Sequence, residues 1–171
     1  MRMMVEKKKP IALIIILLTI VVIFICGRYY FAHNKSYKNE AIEKGDYKKR
    51  ANVVGGRETS KPSEVARDMR ALLERYNAKD NVTIDDIIEF HAEFEYIHPF
   101  QDGNGRVGRL IALKECLKNN VIPFIIEDSK KSFYYRGLSE WRRENGWLVD
   151  TCLDGQDTFV KLLDMLEIPH E

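Results

Sequence analysis

The sequence predicts a mainly α-helical domain behind one N-terminal hydrophobic span, on three observations. Apolar residues recur at helical spacing in several stretches between Pro62 and Leu166. A strand signal stands at Val53-Val54-Gly55-Gly56, which reads as a short strand and turn. At the start, Ile11 to Cys26 is 16 residues long and Thr19 is its only non-hydrophobic member.

The N-terminal span comes first. Arg2 and Lys7-Lys8-Lys9 precede it, and Gly27, Arg28 and Tyr29-Tyr30-Phe31 follow. A run of this length is at the short limit for crossing a bilayer. Snorkelling by Lys9 and Arg28 and aromatic anchoring at the interface extend its reach. A secretory signal peptide is the nearest competitor, but neither Cys26-Gly27-Arg28 nor Tyr30-Phe31-Ala32 makes a good small-x-small cleavage site. A buried globular helix would show a polar face, which this segment lacks. The expected organisation is a basic tail over 1–9, a transmembrane anchor over 10–31, a polar linker over 32–45 and a globular domain over 46–171. Four basic residues before the span and three after it (Arg28, Lys35, Lys38) leave orientation open, with a slight bias placing the domain outside.

The helices follow in order. Pro62 to Asn77 reads as a helix with Ser63 as N-cap and a stripe of Val65, Met69, Leu72, Leu73 and Tyr76. Thr83 starts the next, with Asp86 three residues on in a box-like arrangement. Its stripe is Ile84, Ile87, Ile88, His91, Phe94 and Ile97, and His91 there reads as a packed core histidine. Val107 to Leu117 carries apolar residues at 107, 110, 111, 113, 116 and 117, a pattern that predicts one buried face. Asn119-Asn120 can end that helix, since Asn tolerates left-handed φ. Val121 to Ile126 reads as a buried connector, Ser132 to Leu138 opens another helix, and Thr158 to Leu166 reads as a short amphipathic C-terminal one.

Between the second and third helices lies the chemistry. His98-Pro99-Phe100-Gln101-Asp102-Gly103-Asn104-Gly105-Arg106-Val107-Gly108-Arg109 holds a base, a carboxylate, a glycine loop and two guanidiniums in twelve residues. Gly103 and Gly105 allow the backbone to turn through positive φ and approach a ligand. A glycine loop running into a helix start presents unpaired N–H groups and the positive end of the dipole, so phosphate is the natural guest. Arg106 and Arg109 near that start oppose the dipole unless an anion lies between them and it. Asp102 offers a hard oxygen for Mg²⁺, and the His98 imidazole can take a proton near neutral pH.

These residues resemble the Fic (Fido) signature, HPFx[D/E]GNGRxxR, at every fixed position. The likeness extends over about residues 46–166, including a flap-like segment from Tyr47 to Gly56. The resemblance implies a Fic-type helical bundle with a small β-hairpin flap, in which 46–171 is the catalytic domain. It implies a protein adenylyltransferase, moving AMP from ATP, with Mg²⁺, onto a Ser, Thr or Tyr hydroxyl of a target protein. On that likeness His98 is the base and Asp102 holds the metal. Gly103, Asn104 and Gly105 cradle phosphates with backbone and amide donors, and Arg106 and Arg109 neutralise them. Phe100 anchors the loop in the core. Tyr134 or Tyr135 either lies near the adenine or packs in the core, and Val53, Val54 and Gly55 in the flap hold the target segment. Gly105 stands where a phosphate-transferring branch has lysine, which favours AMP transfer.

The resemblance also sets alternatives. One is a non-catalytic module binding a nucleotide or partner; another is an enzyme moving a different phosphate-containing group. The family's inhibitory pattern, [S/T]xxxE[G/N], is only approximated by Ser36 to Ala41, and Ser139 with Glu144-Asn145 is off by one residue. The expectation is no inhibitory helix in cis, leaving room for a separate inhibitor protein. A net charge of +1, from 27 basic and 26 acidic residues, gives no general field for nucleic acid. Cys26, Cys116 and Cys152 are too far apart for a metal pattern or disulfide framework. A need for ATP favours a single-pass membrane protein with its domain in the cytosol.

Overall fold

The computed structural model describes residues 46–169. The hydrophobic span, the linker and the Ser36 to Ala41 stretch lie outside the described residues. Among the described residues, no helix is long and apolar enough to cross a membrane.

The described chain forms a small hairpin and then helices. Strands β1 (Val53–Val54) and β2 (Arg57–Glu58) pair antiparallel, with Val53 opposite Glu58 and Val54 opposite Arg57. Gly55 and Gly56 close the turn at φ 57° and 78°, the left-handed pair that a two-residue hairpin requires. Helices α1 (Val65–Asn77), α2 (Ile84–Ile97) and α3 (Asn104–Lys118) follow. A 3-10 turn (Asp128–Lys130) leads into α4 (Lys131–Glu140), and α5 (Gly146–Met165) ends the fold.

Helix α2 is the axis. The box predicted at its start is formed: Thr83 Oγ1 accepts the Asp86 N–H, and Asp86 Oδ2 accepts the Thr83 N–H at 2.8 Å. Nine of its residues are buried, because three clusters surround it. Phe90, Phe94 and Ile97 pack on Val65, Met69, Leu72 and Tyr76 of α1. Ile88 and Ala92 meet Tyr134, Leu148 and Cys152 of α4 and α5. Ile87 meets Ala112 and Cys116 of α3. Each aliphatic side chain buried this way is worth roughly 2 kcal/mol. A helix covered on so many sides can hold a polar group where the site needs it.

Four expectations are corrected. Helix α1 begins at Val65, not Pro62: Ser63 lies in a preceding turn, no side chain caps the helix, and the Lys61 carbonyl takes the Val65 N–H at 3.2 Å. Leu73 is 43 % exposed, since 65, 69, 72 and 76 already fill the inward stripe. In α3 the buried face runs through Asn104, Gly108, Ala112, Glu115 and Cys116, while Leu110, Leu113 and Leu117 are exposed. Small residues let α3 lie close on α2: a Cβ at Gly108 would stand 2.7 Å from Glu95 Oε1 and 3.1 Å from His91 Nδ1. Finally, the C-terminal helix starts at Gly146, not Thr158, and its buried residues are Leu148, Thr151, Cys152 and Gly155. The expectations for the end of α3 and for the connector after it hold. Asn119 caps α3, Asn120 adopts φ 54°, and residues 121–126 form a partly buried irregular connector.

The hairpin is tied to the end of α2. Lys48 is buried, and its Nζ donates to Asn52 Oδ1 at 2.8 Å, Thr59 Oγ1 at 2.6 Å and Ile97 O at 3.1 Å. Its backbone N–H donates to Pro99 O at 2.8 Å. Arg57 stacks on the Tyr96 ring at 3.6 Å, and Arg142 lies over the same ring at 4.3 Å. Strand, loop and helix end are thereby fixed against one another.

Candidate active site

Pro99 disfavours helical geometry for the residue before it and has no N–H to donate, so α2 stops at His98. His98 is the C-cap, at φ 52° and ψ 62°, and its N–H donates to Phe94 O at 2.9 Å. Such a conformation costs about 1 kcal/mol or more for a residue with a side chain. Buried Pro99 and the bonds around it hold it there.

The loop is closed by Asn104. This residue is 1 % exposed; its Oδ1 accepts the Phe100 N–H and its Nδ2 donates to Phe100 O, both at 2.8 Å. The Phe100 ring packs beside Phe94, with centroids 6.2 Å apart, which bears out its anchoring role. The Asn104 amide therefore clamps the loop, a role the motif alone did not indicate. Gly103 takes φ 84°, as expected, but Gly105 already belongs to α3 and has no positive φ. No side chain caps α3. Its positive end faces the loop uncovered by any cap carboxylate or hydroxyl.

Asp102 stands at the rim with its side chain 75 % exposed. One oxygen accepts the Gly103 N–H at 2.7 Å and the other lies 3.8 Å from Arg106 Nη2. Arg109 passes over Gly105, where its Nη1 would be 3.1 Å from an added Cβ. Its positive charge partly offsets the upward shift of the Tyr134 phenol. Tyr134 is buried and its hydroxyl lies 2.6 Å from His91 Nε2. Burial, reinforced by Glu95, pushes the Tyr134 phenol up, so it stays protonated. Burial pushes the His91 imidazole down against the opposing pull of Glu95, so it is neutral at pH 7. Tyr135 beside it is 59 % exposed.

These groups surround one cleft of about 510 Å³, a size suited to a small-molecule site. The sequence-predicted residues His98, Asp102, Gly103, Asn104, Gly105, Arg106, Arg109, Tyr134, Tyr135, Val54 and Gly55 all line it. Val53 does not; successive strand residues face opposite ways, and Val53 is 63 % exposed on the other side. Sequence reasoning missed four lining residues: Arg57, Glu95, Leu138 and Ser139. Glu95 had a signal, since it falls four residues after His91 and three before His98, on one helical face.

The model of the Fic/DOC family matches residues 28–116, more than half of the chain. This chain belongs to the Fic/DOC family. Among curated relatives, protein adenylyltransferase Fic of Drosophila melanogaster is 29% identical over 102 residues, covering 58% of this chain and 21% of its own. The Drosophila persimilis protein of the same name is 28% identical over the same length, with 20% of its own chain covered. A crystal structure of a Fic domain-containing signaling protein from Bacteroides thetaiotaomicron superposes with a TM-score of 0.53 at 27% identity. It covers 73% of this chain and 52% of that one. The chain thus spans about a fifth of these curated relatives and about half of that structure. The Fic-type helical bundle with its hairpin is the fold observed here.

Proposed function

We propose that this domain is a protein adenylyltransferase, transferring AMP from ATP to a hydroxyl side chain of a target protein. The observation that carries the reading is convergence. An imidazole, an exposed carboxylate, an uncapped helix start and two guanidiniums meet in one cleft, with the flap at its edge. The relatives named protein adenylyltransferase support the same reaction.

The hydroxyl oxygen of the target attacks the α-phosphorus of ATP. A new P–O bond forms, the bond to the β-phosphate oxygen breaks, and pyrophosphate leaves. His98 takes the hydroxyl proton as the attack proceeds. Arg106 and Arg109, with the start of α3, offset the charge that builds on the leaving group. The flap holds the target: its two strands leave an open edge to which an extended segment can add.

The donor set fits Mg²⁺. Among the described residues no group of three or more His, Cys, Asp or Glu side chains could hold a metal. A protein-only cage is not what Mg²⁺ with a nucleotide needs; one carboxylate plus phosphate oxygens and waters suffices. Asp102 is that carboxylate, and the ion would supply charge neutralisation to the phosphates. We also propose that residues 10–31 tether the domain to a membrane, a reading supported by the hydrophobic run from Ile11 to Cys26, in which Thr19 is the only polar residue.

Mass spectrometry of protein incubated with ATP and Mg²⁺ tests the reading. An added AMP on a hydroxyl side chain, absent when Mg²⁺ is chelated, is expected. An adduct of a different group overturns AMP transfer; ATP binding with no adduct on any protein overturns catalysis.

A further inference from the structure

Among the described residues, three buried side-chain polar atoms have no hydrogen-bond partner: His91 Nδ1, Glu95 Oε1 and His98 Nδ1. All three belong to one place. Residues 91, 95 and 98 are spaced four and three apart on α2, so they share a face. A buried carboxylate is retained in a fold only when something compensates it. Here Gly108 makes the room: Glu95 Oε1 and His91 Nδ1 both crowd the point where a Cβ would sit. The other oxygen, Oε2, lies 3.5 Å from His98 Nδ1, and the Glu95 side chain is 8 % exposed.

The proton position needed on His98 follows from its partner. The Tyr134 hydroxyl lies 2.6 Å from His91 Nε2. An ionised carboxylate only accepts. Whatever nitrogen of His98 faces Glu95 must carry the proton for the two to pair.

We propose that Glu95 is a positioning residue for His98. With the site loaded, its Oε2 accepts the Nδ1–H of His98. That bond fixes the tautomer in which Nε2 is bare and free to take the target's proton. The carboxylate then faces the imidazolium that forms. The 3.5 Å separation is long for a hydrogen bond, and catalytic hydrogen bonds commonly tighten on substrate binding. Glu95 itself touches no reacting atom. The inference rests on the reading of His98 as base, but the tautomer can be measured without any turnover.

The experiment is ¹⁵N NMR of the full chain with labelled histidine, with the His98 ring signals assigned by their loss in His98→Ala. At a pH where the ring is neutral, the wild type shows the Nδ1–H form of His98 in the presence of ATP and Mg²⁺. In Glu95→Ala the Nε2–H form becomes the major one. In parallel, Glu95→Gln, which keeps shape but not charge, lowers kcat about tenfold or more while KM for ATP stays within about twofold. Thermal melts identify variants that fail to fold; should Glu95→Ala be one, the wild-type spectrum and Glu95→Gln decide. A wild-type Nε2–H form, a tautomer indifferent to Glu95→Ala, or an unchanged kcat in Glu95→Gln each overturns the proposal. The Nδ1–H form in a protein that transfers nothing would uphold the pairing and sink adenylyl transfer instead.

Discussion

Replacing Asn104 by alanine separates two roles that the motif confounds. The side chain makes two bonds to one backbone unit, Oδ1 to the Phe100 N–H and Nδ2 to Phe100 O, both 2.8 Å long. Each such bond is worth about 1 kcal/mol net, and leaving a buried partner unpaired costs about 1–3 kcal/mol. Phe100 is half-buried, so water restores part of this. The expected loss is about 2–4 kcal/mol. For a domain of this size that lowers Tm by roughly 8–15 °C, which a thermal melt reads directly. ATP affinity measured well below the melting range should fall through loop disorder. A melt within about 3 °C of wild type, together with strongly weakened ATP binding, would show that the amide contacts the nucleotide. The clamp would then be wrong.

Other outcomes follow from the same geometry. Gly108→Ala forces a Cβ to within 2.7 Å of Glu95 Oε1, so overpacking of about 1–3 kcal/mol outweighs the roughly 1 kcal/mol gained in helix propensity; a variant more stable than wild type in urea contradicts this. Lys48→Met removes three hydrogen bonds at the base of the hairpin and should cost about 2–3 kcal/mol, while raising KM for the protein target more than KM for ATP. Asp86→Asn should cost about 1 kcal/mol near neutral pH. Burial alone would raise the Asp86 carboxyl, but bonds from Lys79 and Thr83 outweigh it and hold it below its usual value. Its contribution is therefore complete above the ordinary carboxylate range and lost as pH falls through the lower folded value. The gap between wild type and Asp86→Asn should close in acid below about pH 4, and a gap that persists there refutes the pairing.

The motif was legible because its chemistry is compressed into twelve consecutive residues. His98, Asp102 and both arginines reach the cleft as the spacing suggested. The cap at Thr83 and the Gly55-Gly56 turn were legible for a similar reason: each is a local device. What failed was inference from apolar periodicity. Leu110, Leu113 and Leu117 made a convincing stripe, yet α3 buries Asn104, Gly108 and Ala112. A close helix crossing needs small residues, and hydropathy does not reward them. The full length of α5 is hidden in the sequence because Asp150, Asp154, Gly155 and Asp157 interrupt its apolar pattern, although Leu148, Thr151 and Cys152 are buried. Lys48 escaped notice because a lysine in a basic run reads as solvated. Only the fold brings Asn52, Thr59 and Ile97 around its ammonium.

The most direct test uses ATP labelled at the α-phosphorus, Mg²⁺ and a lysate as the source of targets. Wild-type protein should place label on protein. His98→Ala should place none while binding ATP with near-normal affinity, because the imidazole takes the proton and does not hold the phosphates. Equal labelling by the two proteins would contradict the account at its centre.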